Sequence, residues 1–105
     1  METTAQERTV EAIARRLIAT RHALGLNQRQ LCERAGVAPN TYNQWERAKG
    51  RPDIDGALLL CDAFGLTLDW IYRGEMSALP HGIAVKLRAL AEQRGRSSTR
   101  SSVDL

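Results

Sequence analysis

Apolar positions recur along this chain at intervals of three and four residues almost throughout, the spacing of helices buried along one stripe. Val10, Ile13, Ala14, Leu17, Ile18 and Leu24 trace the first stripe and predict a helix over roughly residues 6–24, ended at GLN. Asn27 can cap a second helix, QRQLCERAG, which turns Leu31, Cys32 and Ala35 inward and stops at Gly36. A short link, Val37–Pro39, leads to a third helix over roughly 39–48, since Pro39 suits a first helical turn and Gly50 a stop. KGRPDID reads as a loop. Ala57, Leu60, Cys61 and Phe64 mark a fourth helix over roughly 55–64, closed by Gly65. Thr67 or its neighbour caps a short fifth helix, LDWIYR, stopped by Gly74, and Leu66, Leu68, Trp70 and Ile71 complete the core. Beyond MSALP, Ile83, Leu87, Leu90 and Ala91 define a sixth amphipathic segment, and GRSSTRSSVDL has too few apolar residues to order itself.

The expected architecture is therefore all-α: a five-helix domain over residues 6–75, an additional C-terminal amphipathic helix within 76–94, and a disordered tail over 95–105. A chain of 105 residues can build one modest core but not two. Aromatic residues make up 5% of it, so aliphatic side chains must fill most of that core. No apolar run approaches the roughly 20 residues of a membrane span, and METTAQERTVEAIARR lacks the apolar stretch of a signal peptide, which points to the cytoplasm. Helix four has an apolar surplus: Leu58 and Leu59 continue its stripe onto a second face. Residues 80–93 are expected to cover that face, either within one chain or across a dimer.

Chemistry is sparse. Cys32 and Cys61 lie on helical stripes without a CxxC motif, and His22 and His81 are isolated, so buried thiols are expected rather than metal ligands, and no cofactor. No nucleophile–base pair can be placed and no Gly-rich loop precedes a helix, which argues against an enzyme. Charge is more informative. Between residues 8 and 51 nine Arg and Lys stand against Glu11, Glu33 and Glu46, whereas residues 52–75 set Arg73 alone against Asp53, Asp55, Asp62, Asp69 and Glu75. A basic first half suits a polyanion, or is simply a solvated helical surface.

The third helix sharpens that choice. Helical spacing puts Asn40, Asn43, Gln44 and Arg47 on one face, flanked by Thr41, and Tyr42 with Trp45 on the other. Asn and Gln can bond bidentately to adenine and Arg to guanine, although a polar face is ordinarily just hydrated. The preceding helix, ending near a glycine three or four residues earlier, makes the pair a helix-turn-helix. In that geometry the second helix enters the major groove, and the start of the first, with Gln28 and exposed amides, meets the phosphate backbone. Glu46 falls beside the inward face, and Arg21 interrupts the first helix's stripe between Leu17 and Leu24. Two opposite charges in inward arcs suggest one partly buried pair; the alternative is that each reaches solvent independently.

The run RHALGLNQRQLCERAGVAPNTYNQWERAKGRPDIDGALLLCDAFGLTLDWIYRG, Arg21 to Gly74, resembles the phage-repressor/Cro-like, or XRE-type, helix-turn-helix regulators, and with the earlier helix, which fits as well, the resemblance covers about two thirds of the chain. The resemblance implies a five-helix, lambda-repressor-like domain that binds double-stranded DNA, commonly as a homodimer on a pseudo-palindromic operator. By position it implies base reading by Asn40, Thr41 and Gln44, with Asn43 nearby, and phosphate binding by Gln28 and the loop residues Lys49 and Arg51. Asn27, Arg29 and Arg47 are further candidates for phosphate contact, and Arg21–Glu46 matches the family's inter-helix ion pair. This chain departs from the pattern in four places. Ala38 replaces a Ser or Thr cap, Pro39 takes a position some relatives use on bases, and Tyr42 stands where an aliphatic residue is common. Ala48 replaces a glycine, so the third helix is expected to run on toward Gly50. Two uses of the scaffold stay open: a repressor occupying its operator, or an antitoxin-like adaptor whose residues 76–105 bind a small protein partner.

Overall fold

The computed structural model describes residues 5–104, with side chains described through Gln93. A 3-10 turn, Ala5–Arg8, precedes six helices: α1 Val10–Ala23, α2 Gln28–Ala35, α3 Pro39–Glu46, α4 Ile54–Phe64, α5 Leu68–Arg73 and α6 His81–Asp104. No strand occurs among the described residues. None of the described helices is long and apolar enough to cross a membrane.

The first helix starts later than the expected residue 6, because Thr9 caps it: its hydroxyl accepts the Ala12 N–H at 3.1 Å and donates to the Gln6 carbonyl. α1 is also more deeply enclosed than its stripe implies, packing against α3, α5 and α6. Its buried set adds Arg16 and Thr20 to Ile13, Ala14 and Leu17, while Val10 and Ile18 stay only partly covered. Both polar side chains have partners. Thr20 accepts the Trp70 indole N–H at 2.9 Å and donates to the Arg16 carbonyl, and the Arg16 guanidinium donates to the carbonyls of Ile71 and Glu7. Buried donors need such acceptors, and a stripe read for apolar residues alone misses them.

Caps set the other boundaries. Asn27 and Gln30 form a reciprocal capping box on α2. Asp53 accepts the Gly56 N–H to start α4, and Thr67 accepts the Trp70 N–H to start α5. Between α3 and α4, the indole of Trp45 packs so closely on Gly56 that a Cβ there would lie 2.5 Å from a ring carbon. Any side chain at that crossing must displace the indole.

One expectation is corrected, and one of two alternatives for another is removed. α3 does not run on toward Gly50; it ends at Glu46 with Arg47 as C-cap. Ala48 adopts the left-handed conformation, φ 59°, so that its N–H reaches the Trp45 carbonyl and the Lys49 N–H reaches that of Gln44. These two bonds complete the helix end that glycine ordinarily makes, here at the cost of a Cβ in a disfavoured region. Nor does the C-terminal helix cover helix four within the chain. α6 buries Ala84 and Leu87 and lies against α1, leaving Leu58 and Leu59 each 41% exposed. The α6 backbone is helical on to Asp104. The side chains beyond Gln93 lie outside the described residues.

Candidate nucleic-acid interface

α2 and α3 meet at Gly36, whose φ of 78° lets the chain leave α2, and at Val37, which is buried between them. From there Pro39 opens α3 with its ring at the first helical position. Ala38 supplies no side-chain cap, so the N–H groups of Asn40 and Thr41 point out of the helix start without a partner from it. On the inward face, Tyr42 is wholly enclosed and meets Trp45 edge-on, ring centroids 5.8 Å apart. Asn40, Thr41, Gln44 and Arg47 are exposed on the other face, and Asn43 is half-buried at its margin.

A second network fixes the helix from behind. The Arg21 guanidinium grips Glu46 in a fork, Nε to Oε2 at 2.8 Å and Nη2 to Oε1 at 3.0 Å, and donates to the Leu26 carbonyl with its third nitrogen. Glu46 keeps 4% of its side-chain surface exposed and Arg21 14%. Burial pushes the Glu46 carboxyl up, but the bonds from Arg21 and Gln28 prevail and hold it below its ordinary value. The bond to Glu46 raises Arg21 in turn, against burial. The Tyr42 hydroxyl lies beside this carboxylate without a well-formed hydrogen bond, and burial drives its pKa up.

Several candidate phosphate ligands are placed differently from a plain reading of the sequence. The Gln28 amide donates to Glu46 Oε1 at 2.8 Å, so the first residue of α2 is tied to the last of α3. This tie was not foreseen, because nothing in the spacing singles out an amide eighteen residues from its acceptor. Asn27 uses its side-chain oxygen as the α2 cap. Arg29 lies 3.6 Å from Glu33 with both side chains largely in water, a contact too exposed to hold it. Arg51 donates to the Arg8 carbonyl at 2.8 Å, stitching the loop after α3 to the start of α1. Arg47 and Lys49 are exposed and have no carboxylate partner among the described residues. The described residues contain no group of three His, Cys, Asp or Glu that could hold a metal ion. Cys32 is buried as expected and Cys61 only partly so; burial raises both thiols, which favours the inert protonated form.

Two short helices at a tight turn, the second held by its apolar back with amides outward and cations at its end, define a helix-turn-helix DNA-binding domain. The family model HTH_3, described as helix-turn-helix, matches residues 17–71, and the chain belongs to this family of XRE-type regulators. It is a DNA-binding transcription regulator. No curated protein and no solved structure gives a significant match to the chain.

Proposed function

We propose that this regulator reads a pseudo-palindromic operator as a homodimer and represses by occupying it, in the cytoplasm. In this reading Asn40, Thr41 and Gln44 enter the major groove with Asn43 at their edge, and bond base edges. Arg47, Lys49, Arg51 and Arg29, with the backbone amides at the start of α2, meet phosphates on either side. Asn27 and Gln28 contribute there chiefly through backbone position, their side chains being engaged in the cap and the ion-pair network. The observation that carries the reading is the orientation of α3: its amide-bearing residues are exposed while Tyr42, Trp45 and Glu46 are buried.

The test is selection of bound sequences from a pool of random duplexes by the full chain. The expected product is a two-fold symmetric motif with half-site centres about 34 Å, one helical turn, apart. An enriched pool without a common motif would contradict base reading, and enrichment of a single unrepeated half would contradict the dimer.

A further inference from the structure

We propose that the outward crest of α4 is the dimer contact and that the crest of α6 from a second copy occupies it. This rests on the dimeric reading above and names the surface that makes it. The large apolar side chains left exposed among the described residues are Ile54, Leu58, Leu59 and Val85, all on α4 or the first turns of α6. Their own chain does not cover them, because α6 lies against α1.

Helical spacing sets Leu58 and Leu59 on either side of the α4 crest, with Asp55 one turn before them and Asp62 one turn after. The same spacing puts Val85 and Ala89 along the α6 crest, with Lys86 on one flank, Arg88 on the other and Glu92 at the C-terminal end of the crest. An acid-rimmed apolar surface and one flanked by two bases, with a single acid beyond them, thus stand on the same chain. None of these five charged residues has an ion pair among the described residues. The end of α4 and the start of α6 approach at one corner, where Pro80 lies near Gly65.

A two-fold axis lets α4 of each copy meet α6 of the other, so one contact is made twice, as an isologous interface requires. Pairing α4 with α4 would instead set acids against acids. Four partly exposed side chains fall well short of the roughly 800 Å² per partner of a standard interface. The dimer is therefore weak in free solution and consolidates on DNA, where adjacent half-sites raise the local concentration.

Sedimentation of the full chain over a range of concentrations, free and on a duplex with two half-sites, tests this. The wild type should self-associate as concentration rises. Leu58→Gln/Leu59→Gln, at positions the fold leaves exposed, should melt like the wild type and raise the dimer dissociation constant at least about tenfold. Asp55→Lys/Asp62→Lys and Lys86→Glu/Arg88→Glu should each stay monomeric, and an equimolar mixture of the two should recover the dimer. A wild type monomeric at every concentration and on the duplex would overturn the proposal. So would unchanged association of the Leu58/Leu59 variant, or of the Lys86/Arg88 variant alone, since the latter would leave α6 out of the contact. Binding to arbitrary duplex in low salt, measured alongside, belongs to α3 and should survive the Leu58/Leu59 change. Its absence from the wild type would refute the DNA reading rather than the contact.

Discussion

Removing the carboxylate of Glu46 tests what holds α3 in place. Glu46→Ala strips two charge-assisted bonds from Arg21 and one from the Gln28 amide, leaving both donors facing a nearly closed space. Breaking a buried pair by removing one member costs on the order of 3–5 kcal/mol, because the other stays desolvated. Arg21 keeps the Leu26 carbonyl and a margin of solvent, which sets the expected loss near the lower end, about 3 kcal/mol. For a domain of this size that is a fall in Tm of roughly 10–20 °C, read by circular dichroism. The pH dependence gives an independent check. The folded-state carboxyl lies below its ordinary value of 4.5, so its contribution is present above that value and is lost as pH falls through the lower, folded one. The stability gap between wild type and Glu46→Gln should therefore be full at neutral pH and close only in acid below 4.5. Arg21→Met should cost a similar amount, and Arg21→Met/Glu46→Leu less than the sum by at least about 1.5 kcal/mol. Single losses under about 1 kcal/mol, or simple additivity, would show that the pair is a surface contact and refute the reasoning.

Three further substitutions read the structure locally through denaturant midpoints. Ala48→Gly relieves a left-handed alanine and should stabilise by about 0.5–1 kcal/mol, with a loss indicating that α3 does not end at this bend. Tyr42→Phe removes a buried hydroxyl with no partner and should be neutral or stabilising by up to about 1 kcal/mol; a clear loss would mean that the hydroxyl bonds Glu46. Gly56→Ala drives a methyl into the Trp45 ring and should cost about 1–2 kcal/mol despite alanine's better helix propensity, while no change would show that the indole can withdraw freely.

What could be read from the sequence is what local rules govern. The six helices follow from apolar periodicity and from Gly36, Gly65 and Gly74 at their ends. The Arg21–Glu46 contact followed from two charges that each spoiled a stripe. What could not be read depends on three-dimensional proximity or on a fine balance of cap energies. The Gln28–Glu46 bond, the Arg51–Arg8 stitch and the Trp45–Gly56 crossing join residues whose separation carries no periodic signal. The early stop of α3 at an alanine was hidden because the two cap bonds outweigh the conformational cost, which no propensity scale weighs. The side of α1 that receives α6 was open to misreading for a related reason: the pattern tells that a helix has an apolar face, not which partner meets it.

In the function proposed above, α3 reads bases with its outward amides while the cations after it hold phosphate. The most direct measurement compares Gln44→Ala and Lys49→Ala on the selected duplex and on its single-base variants over a range of salt. Gln44→Ala should lose about 1–3 kcal/mol of discrimination at one base pair per half-site and keep the salt slope. Lys49→Ala should weaken all sequences alike and lower the slope by about one counterion per bound protomer. Equal loss on every sequence from both variants, or none from either, would contradict the account.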